Sequence, residues 1–119
     1  MNKLNKVQEK DIVFVTTSLF TKWLEYQQKI LKTLFPNSQI IVTDGRKNWP
    51  VSWFYWIDKV KKTKKKYYIH IDEDCFLTSK TELLKAVEAL ETRKIDLLGC
   101  SDGYHRFRSN SVRHDYCLN

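Results

Sequence analysis

Apolar and β-branched residues gather in short runs along this chain, and between the runs they recur at helical spacing. Asp11 to Thr17 (Asp-Ile-Val-Phe-Val-Thr-Thr) is the first run and predicts a buried strand. Phe20, Trp23, Leu24, Ile30, Leu31 and Leu34 then repeat with the period of a helix, which Pro36-Asn37 ends. Gln39 to Thr43 predicts a second strand, closed by the turn signal Asp44-Gly45. Pro50 suits the first turn of a second helix, on which Trp53, Ile57 and Val60 share a face. Tyr67 to Ile71 predicts a third strand, which runs straight into the acidic triplet Asp72-Glu73-Asp74. Ser79 and Glu82 form a capping box for a third helix striped by Leu83, Leu84, Val87 and Leu90. Asp96 to Cys100 predicts a fourth strand, and from Ser101 onward the pattern dissolves into polar loop.

Strands alternating with helices predict an α/β class: a three-layer, mainly parallel, Rossmann-like sheet with right-handed crossovers and helices on both faces. No repeat, low-complexity tract or linker interrupts it, so residues 1–119 are expected to form a single domain. Ligands of such sheets bind outside the carboxyl ends of the strands. Those ends are Thr16 and Thr17, then Asp44, then Asp72 and Asp74, then Ser101 and Asp102. The doubled acid is the most telling of them. Carboxylates at the lip of a core strand are costly without a counter-charge, and hard cations such as Mg2+ and Mn2+ choose carboxylate oxygens. Glu73, between the two aspartates, is expected to point away from them because strand side chains alternate.

Composition adds limits. With 42% hydrophobic and 13% aromatic residues, the chain belongs among globular proteins. The polar start, Met1 to Lys10, does not read as a signal peptide, and no apolar run approaches the length of a membrane span. Three cysteines, Cys75, Cys100 and Cys117, show no metal-ligand spacing and are expected as reduced thiols in the cytoplasm. The net charge of +7 favours anionic partners. Much of the excess lies in Lys59, Lys61, Lys62, Lys64, Lys65 and Lys66, a solvated helix end that also suits peripheral contact with an anionic membrane. Nucleic acid is not expected, since no recognition motif accompanies the lysines.

Asp72-Glu73-Asp74 after Tyr-Tyr-Ile-His-Ile resembles the Asp-x-Asp motif of glycosyltransferases with the GT-A fold. The resemblance runs from Asp11 to about Gly103 and matches the nucleotide-sugar-binding half of such enzymes. It implies a nucleoside-diphosphate sugar as donor, Mn2+ or Mg2+ as cofactor, and an acceptor that is a glycan, a lipid or a protein. Asp74 would bind the metal directly, while Asp72 would contact the ribose or the metal and its water shell. Thr16 or Thr17 would line the nucleotide pocket, and Asp44 would contact the base or ribose. Alternatively, Asp44-Gly45 is only a strand-exit turn. Arg46 and Lys47 are placed to touch phosphate or to sit in an exposed loop. A catalytic base is not assigned: the acceptor half of the family would follow Asn119, so a truncated domain is expected. Asp102 and His105 are the substitutes within reach, or else part of an ordinary loop.

Other residues carry plainer readings. His70 is expected as a packed histidine, and the aromatic group Trp49, Trp53, Phe54, Tyr55 and Trp56 as helix core, with a sugar-stacking ring as the sharper reading. Two rival functions remain. A haloacid-dehalogenase-like magnesium phosphotransferase also sets Asp-x-Asp after a strand, but after its first one and with a later lysine and acid pair not evident here. The other is a non-catalytic remnant or basic binding module.

Overall fold

The computed structural model describes residues 7–47, 52–100 and 117–118. The chain divides into two compact units, one spanning Val7–Lys80 and the other taking in the chain from Thr81 onward.

The first unit holds β1 (Ile12–Ser18), α1 (Trp23–Leu34), β2 (Gln39–Asp44), α2 (Ser52–Thr63) and β3 (Tyr67–His70). The strands form one parallel sheet in the order β2-β1-β3. β1 is central, which explains why its sequence is a continuous apolar run rather than an alternating one: parallel strands covered on both faces have no solvent side. Ile12, Val13, Phe14 and Val15 are accordingly buried throughout. Its even and odd positions meet different helices. Phe14 sets its ring edge-on to Phe35 at the end of α1, with centroids 5.0 Å apart, and Thr16 reaches Gln27 of α1. Val13 and Val15 pack with Val60 and Trp56 of α2 and with Ile41 of β2. Successive strand side chains point to opposite faces, so α1 covers one face of the sheet and α2 the other.

The order of the strands decides where a ligand belongs. The chain lays β2 on one side of β1 and then crosses to set β3 on the other. The reversal makes the carboxyl ends of β1 and β3 a topological switch point, the usual ligand position of open α/β sheets. Arg46 and Gly45 close the exit of β2. A Cβ on Gly45 would lie 2.9 Å from Thr17 Cγ2 and 3.2 Å from the Ser18 carbonyl oxygen, so only glycine lets this turn sit against β1.

α3 (Lys80–Thr92) starts directly after Ser79, as the capping box requires, and from Thr81 onward belongs to the second unit. Val87 of its predicted stripe is buried, and Leu83, Leu84 and Leu90 are half-buried. The predicted fourth strand is corrected. Only Gly99–Cys100 is extended (β4), and it pairs in parallel with Cys117–Leu118 (β5) in a sheet of its own. Asp96 and Leu97 are exposed instead, Leu97 at 84%. The Leu-Leu-Gly core of that run lacks the β-branched residues that favour a pleated, buried strand. Pro50, Trp49, Ser101, Asp102 and His105 lie outside the described residues.

Candidate functional site: an acidic turn beside the switch point

β3 ends at His70, and its pairing extends by one further bond, Ile71 N–H to the Val15 carbonyl at 3.0 Å. The acidic triplet therefore leaves the sheet as a turn rather than as strand. The Cys75 N–H closes it on the Asp72 carbonyl at 3.0 Å.

Two buried side chains hold this turn. Glu73 points inward and the aspartates outward, so the residue between them is the structural one. Its Oε1 accepts the Leu19 N–H at 2.8 Å, and its Oε2 accepts the Thr21 N–H at 2.6 Å and the Thr21 hydroxyl at 2.7 Å. Burial pushes the Glu73 carboxyl up, but hydrogen bonds from Thr21, Leu19 and the Ser18 hydroxyl outweigh it and hold the group below its ordinary value. Gln27 is the second clamp. Its amide nitrogen donates to the Asp72 carbonyl at 2.6 Å and lies 3.4 Å from the Cys75 carbonyl. Its amide oxygen faces the Thr16 hydroxyl at 2.9 Å, and that hydroxyl also lies 2.8 Å from the Ile71 carbonyl. One hydroxyl proton thus serves two acceptors, and the Gln27 amide orientation is set by the carbonyls it must donate to.

On the outer side, Asp72, Asp74 and Cys75 are exposed, and their potential ligand atoms lie within 4.8 Å of one another. Burial raises the pKa of the Cys75 thiol, and the negative charges of Asp72 and Asp74 raise it further. These three groups could hold a metal ion, with two hard carboxylate oxygens and the Cys75 sulfur beside them.

Of the other predicted site residues, Thr16 is 1% exposed, and its hydroxyl is engaged beneath the acidic turn with Gln27 and the Ile71 carbonyl. Thr17 Oγ1 lies 3.0 Å from Thr43 Oγ1 across the strand pair. Asp44 accepts the Arg46 backbone N–H at 2.9 Å and both ends of its guanidinium at 3.0 Å. Those hydrogen bonds hold the Asp44 carboxyl at about 2. Asp44 leaves β2 and Asp72 follows β3, with β1 between, so the two strand ends are roughly 10 Å apart. His70 packs its ring on Trp56 with centroids 4.9 Å apart. Its burial lowers its pKa, against the opposing pull of Asp72.

Residues that sequence reasoning missed lie around the turn. Phe20 and Trp23 read as core positions of the first helix, yet both are exposed. Phe20 sits in the β1–α1 loop at φ 58°, with the Arg46 guanidinium 4.5 Å above its ring. Trp23 contacts Tyr26 and Phe76, each at 6.2 Å between centroids, while Lys22 lies 4.9 Å over the indole. The spacing of three between Phe20, Trp23 and Tyr26 was the available signal for a shared face; the exposure of that face was not written in it.

Compared with known proteins, the chain matches no family model, no curated protein and no solved structure.

Proposed function

We propose that this protein is a glycosyltransferase-like domain of GT-A kind, which holds a nucleoside-diphosphate sugar through a divalent cation on Asp72 and Asp74. The observation that carries the reading is the rigid acidic turn at the switch point, with two exposed carboxylates held outward by Glu73 and Gln27. A metal there would neutralise the charge that grows on a nucleoside-diphosphate leaving group.

Glu73 strengthens the case for a metal. Open α/β sheets commonly seat a phosphate on the backbone amides where the first strand turns into its helix. In this chain a carboxylate of its own takes the Leu19 and Thr21 amides. A diphosphate arriving at the switch point would meet filled donors, so its charge would have to be matched by a cation. The phosphotransferase alternative is disfavoured by placement, because β1 ends in Thr16-Thr17-Ser18 with no acid and the acid pair follows the third strand.

The test is calorimetric titration with UDP, GDP, CDP and ADP, with and without Mn2+. Manganese-dependent binding of one nucleoside diphosphate, abolished in Asp74→Ala, is the expected result. Equal binding without metal, or in Asp74→Ala, refutes the assignment.

A further inference from the structure

We infer that β2 pairs with a second copy of this chain. The two strands run antiparallel along Gln39–Asp44, about a two-fold axis at Ile41, and join two sheets into one. Asp72 and Asp74 follow β3, on the far side of β1, so this contact stands or falls apart from the cation proposed for them.

β2 ends its sheet, and among the described residues nothing pairs with its outer side. One bond shows which backbone groups lie there. Gly45 donates its N–H to the Ser18 carbonyl of β1 at 2.8 Å. Backbone groups alternate sides along a strand, so Thr43, Ile41 and Gln39 also turn theirs to β1. Those of Ile40 and Val42 therefore point away from the sheet. A bare edge of this kind is normally blunted by lysine, proline, a bulge or an early stop. β2 has none of these. It runs six residues in unbroken register with β1, and Gln-Ile-Ile-Val-Thr holds neither charge nor proline. Ile40, Ile41 and Val42 are only half-buried. The opposite edge differs: β3 is four residues long, with Lys65 and Lys66 before it and Asp72 just beyond.

The occupant follows from what this edge complements. A row of outward backbone donors and acceptors takes another extended strand. Pairing about Ile41 sets Ile40 opposite Val42 of the second copy, and Val42 opposite its Ile40. The outward groups of each chain then meet those of the other, each pair exchanging both N–H···O=C bonds. The same register sets Ile41 against Ile41 and Gln39 against Thr43, so that β-branched residues meet at the centre. Charge permits the approach. A net +7 opposes self-association wherever unpaired lysines meet. At one end of β2, Arg46 is clasped to Asp44; at the other, Glu9 holds both the Asn37 N–H and Lys80. Over Asn37–Arg46 the pairing thus sets no unpaired charge against another. The same strand is used up on both chains, so association stops at a dimer.

The test uses the whole chain over roughly a hundredfold range of concentration. Sedimentation equilibrium should show monomer passing to dimer. Amide exchange at Ile40 and Val42 should slow as the dimer fills, while Ile41 and Thr43 stay protected throughout. Ile40→Lys sets a charge on the edge and should weaken dimerisation about tenfold or more. If that variant melts early, the exchange pattern of the unaltered chain still decides. A monomer at every concentration overturns the proposal. So does a dimer in which Ile40 and Val42 exchange fast, since its contact lies elsewhere. Protection of both amides in the monomer leaves the edge no room for a copy and overturns it too, as does growth beyond the dimer.

Discussion

Asp44 and Glu73 are both acids held below the ordinary carboxylate range, and they reach that state by different routes. Asp44 is clasped by the side chain and backbone of Arg46, two residues away, on the surface. Glu73 is buried among donors contributed by residues more than fifty positions earlier. For Asp44 the pH dependence follows directly. Its folded pKa of about 2 lies below the ordinary 3.8, so its stabilising effect is complete above 3.8 and is lost as pH falls through about 2. A carboxyl-carbon NMR titration should place its midpoint near 2, and Arg46→Ala should return it toward 3.8. Only the turn of the first route was legible in the sequence, from Asp44-Gly45; the clasp of Arg46 on Asp44 was not. The second was legible only in its direction: alternation said that Glu73 turns away from the aspartates, but nothing in Tyr67 to Leu77 named Thr21 or Leu19 as its partners.

Elements followed from the sequence wherever a period was strong. The first three strands and all three helices match their predicted positions within a few residues, because β-branched runs and helical stripes record burial directly. Failures came where apolar residues are not buried. Phe20 and Trp23 fit the stripe of α1 and still face solvent, since the helix begins only at Trp23 and the loop before it is shaped by Glu73. That dependence is testable. Glu73→Gln replaces one accepting oxygen with a donor amide facing N–H groups, and should cost about 2 kcal/mol of stability in chemical denaturation. Amide exchange at Leu19 and Thr21 should accelerate, while Val13 to Thr16 in the centre of the sheet keep their protection. Uniform acceleration across β1 would show that Glu73 supports the whole sheet rather than the loop.

Across the Val7–Lys80 unit, charge is polarised along the strands. The acidic turn lies at the carboxyl edge of the sheet. Lys61, Lys62 and Lys64 lie where α2 ends and the chain re-enters at the amino edge, with Lys65 donating to the Lys10 carbonyl at 2.8 Å. Cations there suit the carboxyl end of a helix and need no partner to be explained. An anionic surface would still meet this edge first. Changing Lys61, Lys62 and Lys64 together to alanine should weaken co-sedimentation with phosphatidylserine vesicles severalfold at low salt, leaving manganese and nucleoside-diphosphate binding unchanged. Equal co-sedimentation of the variant would remove the lysines from any such contact. No helix among the described residues is long and apolar enough to cross a membrane.

The clamps on the acidic turn also fix when in folding it takes shape. Thr16, Leu19, Thr21 and Gln27 are separated from Ile71 to Cys75 by some 45 to 55 positions. Closing so long a loop precedes any reward from these contacts, so the turn is set only once β3 has docked on β1. A peptide cut out as Tyr67 to Leu77 would carry both aspartates and none of their geometry. The cation binding proposed for this turn would therefore gauge completed folding, and an ion held only by the finished turn would stabilise it by mass action.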